Sequence, residues 1–277
     1  MKSGAPRKKI KIGIAGCGAI GSRMARSITK YFTKECQLTG VYDIIREKAI
    51  DLENYLGIKG LTKRSLKGLI KDCDLMVEAV VSKQTRAIIR EALVARKDVL
   101  TMSVGQLLKA KGLFKLAASN HCTLVVPSGA IAGIDAVKAA SLVNLRKITL
   151  TTRKPPMGFI NNYFLIEKGI DLSKITKETV LFEGGVEEAI KIFPQNINVA
   201  ATIALANQSK SKLRIRLMTS PEWTTNSHEI EMEGDFGKMV TRTENVPCPD
   251  NPKTSYLAVL SGIQTLKQYV TGMRIGT

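Results

Sequence analysis

A glycine-rich hexapeptide directly after a β-branched apolar segment is the feature that most constrains this chain. Residues Ile10–Ala15 have the composition of a buried strand, and Gly16-Cys17-Gly18-Ala19-Ile20-Gly21 follows at once and opens an amphipathic helix. In this setting the first glycine makes a tight turn, the second lets a pyrophosphate approach the backbone, and the third allows close helix–strand packing. The helix N-terminus stabilises the phosphate charge. The pattern predicts dinucleotide contacts at Gly16, Gly18, Ala19, Ile20 and Gly21.

Short β-branched segments alternate with longer amphipathic segments as far as Val126, which is typical of βαβ units and a mostly parallel sheet. The predicted strands are Ile10–Ala15, Leu38–Tyr42, Leu75–Val80, Val99–Met102 and Thr123–Val126. The predicted helices are Ala19–Tyr31, Arg46–Leu56, Thr85–Arg96 and Leu107–Asn120. Right-handed crossovers would wind such units into a doubly wound sheet. We therefore expect an α/β fold in which residues 1–127 form a dinucleotide-binding Rossmann domain.

The pattern changes after Pro127, where alternating strands become more frequent. The predicted strands are Arg146–Thr152, Lys212–Met218, Ser227–Glu233 and Lys238–Val246, with helices at Asp135–Val143, Val186–Phe193 and Val199–Ala206. The segment Glu233–Gly237 has the glycine and aspartate content of a hairpin turn. We expect residues 128–253 to form a second, α+β domain for substrate binding and dimerisation. A C-terminal helix within residues 254–277 is expected to pack back on the first domain.

Asp43 ends the second predicted strand, 22 residues beyond Gly21. An acidic side chain at this point accepts hydrogen bonds from the adenosine ribose hydroxyls, which favours NAD. Arg46 follows three residues later and could face a 2′-phosphate, so some use of both NAD and NADP is plausible. The alternative role for Asp43 is the N-cap of the next helix.

Composition excludes several other classes of protein. Five scattered cysteines without a Cys-x-x-Cys pair, and only two histidines, fit neither a disulfide framework nor a zinc site, so we expect no metal and a cytoplasmic location. No window reaches the roughly 18 consecutive apolar residues that span a bilayer. The formal charge of +18 is spread along the chain and aromatic residues are only 5%, so we expect a solvated basic surface and no nucleic-acid partner.

Several further motifs extend the pattern well beyond the glycine loop. They are Val77–Ala79, Met102–Gly105, Val126–Ile131, Thr152–Pro156, Phe193–Thr202, Asn226–Ile230 and Asn245–Tyr256. In order and spacing they closely resemble the L-aspartate dehydrogenase family, and the resemblance covers nearly the whole chain from Lys9 onward. Several of these motifs lie in the second predicted domain, where substrate identity is decided.

The resemblance implies a homodimeric enzyme that oxidises L-aspartate with NAD or NADP. The product, iminoaspartate (iminosuccinate), would hydrolyse to oxaloacetate and ammonia or be passed to NAD biosynthesis. By position, the proton-transfer histidine of the family matches His228, and two further cofactor contacts match Ala130 and Asn198.

Proton transfer near neutral pH is a natural task for histidine. His228 lies among polar residues at a strand entry, whereas His121 lies at a predicted helix C-terminus, where a cation simply complements the helix dipole. From the residues alone, a structural role for His228 is as plausible as a catalytic one. The family resemblance favours catalysis, and with it an imidazole that titrates in the working pH range.

Substrate contacts are predicted with less support. Ser128 and Gly129 follow the last strand of the first domain, at the sheet edge where open α/β folds bind ligands, although an ordinary turn explains them too. The two carboxylates of the substrate need donors, which Arg153 or Lys154 could supply, although such a pair beside Pro155 is often an exposed turn. Asn196 is a further candidate; it and Asn198 flank the start of the predicted helix Val199–Ala206, and helix capping explains one of the two equally well.

Two alternatives remain open at this stage. The first is another small two-domain Rossmann oxidoreductase, similar to dihydrodipicolinate reductase or homoserine dehydrogenase; the histidine motif in the second domain argues against both. The second is a non-catalytic dinucleotide-sensing protein that would bind NADH without turning over an amino acid.

Overall fold

The computed structural model of the protein describes residues 8–80, 84–193, 198–207, 212–249 and 251–276. The chain divides into two units. The first contains the residues up to Pro127 together with Gly262–Arg274, and the second contains Ser128–Ser261 together with the residues from Ile275 onward.

The first unit is built on a five-stranded parallel sheet. Its elements are β1 (Ile10–Ala15), α1 (Ala19–Tyr31), β2 (Cys36–Tyr42), α2 (Arg46–Leu56), α3 (Leu66–Lys71), β3 (Leu75–Glu78), α4 (Thr85–Val94), β4 (Asp98–Thr101), α5 (Lys111–Ser119) and β5 (Leu124–Val125). The strands lie in the order β2-β1-β3-β4-β5, and every pairing is parallel. The predicted Rossmann sheet is confirmed.

Burial explains why these segments form the sheet. Ile12, Ile14, Leu75, Val77 and Leu100 are essentially inaccessible to solvent, as expected for a parallel sheet that is covered on both faces. The bounds of β1, α1 and α2 agree with the prediction from sequence.

Other parts of the pattern predicted for the first unit need correction. Strand β3 ends at Glu78 rather than Val80, because the Glu78 carboxylate turns back to accept a hydrogen bond from the Val80 amide. A 3₁₀ turn at Val104–Leu107 precedes α5, so this helix begins at Lys111. Helix α3 was not predicted; it is only six residues long, although Ser65 caps it by accepting from the Gly68 amide.

The second unit has a mixed five-stranded sheet. Its elements are α6 (Ile134–Ala140), β6 (Leu145–Lys154), α7 (Tyr163–Glu167), β7 (Thr179–Gly185), α8 (Val186–Ile192), α9 (Asn198–Ala206), β8 (Leu213–Thr219), β9 (Asn226–Gly234), β10 (Gly237–Asn245), β11 (Pro247–Cys248), β12 (Asn251–Ser255) and α10 (Tyr256–Thr271). The sheet order is β10-β9-β6-β8-β7, in which β6 and β8 are parallel. Residues of α10 belong to both units. The predicted α+β architecture is confirmed; β7 was not predicted.

Strands β6 and β9 position the candidate site. Their register places Ile148, Leu150 and Thr152 opposite Met232, Ile230 and His228. Directly opposed side chains share a face of the sheet, so these six residues line one buried face. The predicted hairpin is also confirmed, because Gly234 pairs with Gly237 across a two-residue turn.

All five cysteines lie in the described part of the chain. All five cysteines have free thiols, and four of them are buried. Within the described ranges, no group of three or more His, Cys, Asp or Glu side chains is arranged to hold a metal ion. None of the described helices has the length and apolarity needed to cross a membrane.

Candidate active site

The glycine loop forms the tight connection between β1 and α1. Gly16 has a φ of +98°, which strongly favours glycine, and its amide donates to the Tyr42 carbonyl. Gly18 is the N-cap residue of α1 and, lacking a side chain, provides no side-chain cap. The first turn of a 13-residue helix therefore starts with backbone N–H groups that no cap side chain covers. Such a terminus attracts a phosphate.

The three glycines differ in what surrounds them. A Cβ on Gly21 would lie 1.8 Å from the Gly16 carbonyl oxygen, and a Cβ on Gly16 would lie 2.5 Å from the Ala79 carbonyl oxygen. A Cβ on Gly18 would meet no described atom within 4 Å. Gly16 and Gly21 are therefore needed by the fold, whereas the space beside Gly18 is left open for a ligand. Ala19 and Ile20 form the first turn of α1 between them.

Asp43 follows β2 directly and holds the glycine loop. Its Oδ2 accepts from the Cys17 amide at 2.8 Å, and its Oδ1 accepts from the Ile45 amide at 2.9 Å. The N-cap of α2 is Ile45, so Asp43 is not the cap that the alternative reading required. This carboxylate lies against the glycine loop at the end of β2, where a ribose would bind.

We expect Asp43→Ala to weaken NAD binding more than NADP binding, changing the ratio of the two dissociation constants by roughly tenfold, the scale of a hydrogen bond to a charged group. The substitution removes an acceptor for the 2′-hydroxyl and also removes charge repulsion toward a 2′-phosphate. Fluorescence titration with NADH and NADPH measures both constants. Asp43→Asn is the matched control for the loop, because it retains an oxygen for the Cys17 amide. An unchanged ratio in Asp43→Ala would mean that Asp43 only organises the turn.

The buried carboxylate of Glu78 accepts hydrogen bonds from residues that follow β3 and from residues at the end of β4 and just after it. Glu78 is completely inaccessible to solvent and accepts hydrogen bonds from the hydroxyls of Thr85, Thr101 and Ser103 as well as from the Val80 amide. Burial raises the pKa of Glu78, and these hydrogen bonds oppose the rise. The carboxylate thus links described residues that follow β3 and β4 at the carboxyl edge of the sheet, where open α/β folds bind ligands.

His228 is buried on β9 and is held by Thr152 on β6. Its Nδ1 lies 3.0 Å from Thr152 Oγ1, so Nε2 is the ring nitrogen left for another partner. Burial, reinforced by the nearby charge of Lys154, lowers the pKa of His228 to about 3. This lowering favours the neutral imidazole near neutral pH, which contradicts the expectation that His228 titrates in the working range. The expectation from sequence did not include the burial of the His228 side chain in the face of the sheet, and this burial lowers its pKa.

Strand alternation separates Arg153 from Lys154. Lys154 shares the buried face with Thr152 and His228, whereas Arg153 lies on the opposite face and contacts Glu229 at 3.4 Å. Burial lowers the pKa of Lys154 to about 8. Of the two predicted carboxylate donors, only Lys154 is brought next to His228.

The segment Ser128–Ala130 forms hydrogen bonds with residues of α10 and β10 in the second unit. Gly129 has a φ of +77° and its amide donates to Ser261 Oγ at 3.1 Å. The Ala130 carbonyl accepts from Thr243 Oγ1 and from Asn245 Nδ2, and Thr243 pairs with His228 across β9 and β10. Ala130 is therefore bound to β10, the strand that pairs with the one that carries His228.

Three candidates from the sequence remain. Asn198 is exposed at the first residue of α9, and its carbonyl accepts from Thr202 Oγ1. Asn196 lies outside the described residues. His121 follows α5 with a φ of +55°, a conformation that suits a turn.

Two residues of the site were not predicted from sequence, although each left a signal. Thr152 precedes Lys154 by two positions in an alternating strand, which places the two side chains on one face. Glu78 ends an otherwise apolar strand, and a carboxylate in such a place requires several buried donors.

Comparison with known proteins adds family information for both parts of the chain. A family model described as "Homoserine dehydrogenase, NAD binding domain" matches residues 16–127, and one described as "Aspartate dehydrogenase, C-terminal" matches residues 135–269. The second match includes His228, Thr152 and Lys154.

Individual relatives agree with this result. The L-aspartate dehydrogenase of Methanosarcina barkeri is 44% identical over 97% of this chain and 100% of the relative, and that of Methanosarcina mazei is 42% identical over the same shares. The crystal structure of aspartate dehydrogenase from Thermotoga maritima matches with a TM-score of 0.74 at 23% identity, covering 97% of this chain and all of that one. At this identity the structural match shows the fold.

Proposed function

The chain belongs to the L-aspartate dehydrogenase family, and we propose that it oxidises L-aspartate with NAD or NADP. The observation that carries the proposal is that the likeness extends over both units, including the one that contains His228. The product would be iminoaspartate, which hydrolyses to oxaloacetate and ammonia or is passed to NAD biosynthesis.

The first unit would hold the cofactor. The open space beside Gly18, the uncapped start of α1 and the carboxylate of Asp43 fit a pyrophosphate and the adjoining ribose. When bound, the nicotinamide supplies the acceptor for the hydride that leaves the substrate Cα. The chain's own part is to fix that ring, and the loops held by Glu78 lie at the sheet edge suited to this task. Ala130 and Asn198 complete the proposed contacts.

The second unit would hold the substrate near His228. Because Thr152 holds Nδ1, the imidazole would contact the substrate amine or the hydrolytic water through Nε2. Lys154 supplies the cation on the same face, and Ser128, Gly129 and Asn196 stay proposed as further substrate contacts. Arg153 already contacts Glu229 on the other face, so we leave it out of the proposed site.

The same proposal includes the organisation of the enzyme. Residues 1–127, with the C-terminal helix, would form the cofactor domain, residues 128–253 would form the substrate and dimerisation domain, and the enzyme would be a cytoplasmic homodimer. Its support is the family likeness together with five cysteines that are all free thiols.

The test of the proposed function is an initial-rate assay of NADH and NADPH formation with a panel of amino acids. We expect L-aspartate to be oxidised, and D-aspartate, L-glutamate and L-homoserine to give less than about a hundredth of its rate. D-aspartate cannot place both carboxylates and its Cα–H bond as the L-enantiomer does, the second carboxylate of L-glutamate is one methylene further away, and L-homoserine has a hydroxyl in place of that carboxylate. Oxidation of L-homoserine in place of L-aspartate would favour the homoserine dehydrogenase-like alternative. NADH binding without turnover of any amino acid would favour a dinucleotide-sensing protein.

A further inference from the structure

A cavity of about 300 Å³ in the first unit is lined by residues of α1, of α2 and of the glycine loop. Helix α1 contributes Ser22 and Arg26, which are four residues apart and therefore lie on the same side of that helix. The glycine loop contributes Cys17. The cavity thus adjoins the loop in which the cofactor phosphates are expected to bind.

Helix α2 lines the cavity with one of its faces. The residues that it contributes recur at spacings of three and four, as expected for a single helical face, and they are Lys48, Asp51, Leu52 and Tyr55. Because a helix turns by about 100° per residue, Arg46 lies on the opposite side of α2, and it is not among the lining residues. The basic residue that α2 directs to the cavity is therefore Lys48.

Two cations line this cavity. Arg26 is held from two sides, because its Nε donates to the Ser22 carbonyl at 3.3 Å and its guanidinium carbon lies 5.2 Å from the centroid of the Tyr55 ring. Lys48 is exposed, and no carboxylate of the described residues forms an ion pair with it. Asp51 is the one acid among the described lining residues, so the cations outnumber it.

The same cavity lies beside the carboxylate that is expected to bind the adenosine ribose. The Cys17 amide donates to Asp43 Oδ2 at 2.8 Å, so a residue that lines the cavity also contacts Asp43. Burial raises the pKa of the Cys17 thiol to about 12, and the charge of Asp43 adds to this rise while that of Lys48 opposes it. Asp43 and Lys48 are therefore both close to Cys17.

The two dinucleotides differ at the ribose that this region would bind. NAD has a free 2′-hydroxyl, for which a carboxylate is a good acceptor. NADP has a phosphate at that position, with a charge of about −1.5 to −2 at neutral pH and three acceptor oxygens. A guanidinium donates to such a group through a planar fork, and an ammonium adds a compact charge.

We propose that this cavity receives the 2′-phosphate of NADP, and that Lys48 and Arg26 bind it. The inference rests on the dinucleotide binding in the proposed function, and it adds the residues that distinguish the two cofactors. Asp43 favours the free hydroxyl of NAD, whereas the two cations favour the phosphate of NADP. Asp51 weakens the binding of the phosphate by repulsion.

This assignment differs from the one suggested by sequence proximity. Arg46 follows Asp43 by three positions and could face a 2′-phosphate if the chain were extended there. The segment is instead the first turn of α2, and the helical phase turns Arg46 away from the cavity.

Fluorescence titrations with NADH and NADPH, without substrate, test the proposal. In Lys48→Met and in Arg26→Met the dissociation constant for NADPH should rise about tenfold, the scale of a lost hydrogen bond to a charged group, and that for NADH should change by less than about twofold. In Asp51→Asn the constant for NADPH should fall, because a repulsive charge is removed. Lys115→Met is the matched control, because it removes one positive charge from an exposed position on α5 that does not line the cavity.

Several results would overturn the proposal. They are an unchanged NADPH affinity in Lys48→Met, an equal rise of both constants in that variant, a parent that binds NADH but not NADPH, or a loss of NADPH affinity that is confined to Arg46→Met. If Arg26→Met fails to fold, the exposed Lys48 still decides. A parent that binds neither dinucleotide would contradict the cofactor site of the proposed function, which is a different result from all of these.

Discussion

Replacing His228 by alanine should lower kcat for L-aspartate oxidation by about a hundredfold or more while leaving the dissociation constant for NADH nearly unchanged. The loss has the scale observed when a positioned catalytic group is removed. Cofactor affinity should persist because the glycine loop belongs to the first unit and His228 to the second.

Steady-state rates and an NADH titration of the same preparation test this prediction. The matched control is His121→Asn, which alters the other histidine of the chain and suits its positive φ. That variant should retain the activity of the parent. If His228→Ala keeps most of its aspartate activity, His228 does not contact the reacting groups, and its bond to Thr152 is purely structural.

Two substitutions in the glycine loop should affect different properties, one the binding of the dinucleotide and the other the stability of the fold. Gly18→Val should fold normally and lose dinucleotide binding, because its side chain enters space that no described atom fills and that a pyrophosphate would need. Gly21→Ala should lower the free energy of unfolding by about 3 kcal/mol or more, because its Cβ would lie 1.8 Å from the Gly16 carbonyl oxygen.

Chemical denaturation and NADH fluorescence measured on both variants separate the two effects. The expected pattern is a parent-like midpoint without NADH binding for Gly18→Val, and a lowered midpoint for Gly21→Ala. A folded Gly18→Val that still binds NADH with parent affinity would refute the role of the glycine loop in holding the cofactor.

Local signals in the sequence were sufficient for the first part of the fold. The glycine spacing and the apolar periodicity around it gave the bounds of β1 and α1, because each element is determined by neighbouring residues. Short elements are poorly determined in this way. Helix α3 has six residues and strand β5 has two, so their existence depends on the sheet they pack against.

The electrostatic properties of the candidate site could not be predicted from sequence. His228 and Thr152 are 76 residues apart, and only the register of β6 and β9 brings them together. The burial that lowers the pKa of His228 is a consequence of that pairing. Arg153 and Lys154 were likewise predicted as alternative carboxylate donors because they are adjacent in sequence. The pleat of β6 places their side chains on opposite faces of the sheet.

The central claim, that the chain transfers a hydride from Cα of L-aspartate to a nicotinamide cofactor, is tested most directly by isotope transfer. The enzyme would be incubated with L-[2-²H]aspartate and the oxidised cofactor, and the reduced cofactor analysed by mass spectrometry. We predict one deuterium per molecule of reduced cofactor, and none when the label is at C3 of aspartate. Reduced cofactor without deuterium from C2, or no reduced cofactor at all, would contradict the claim.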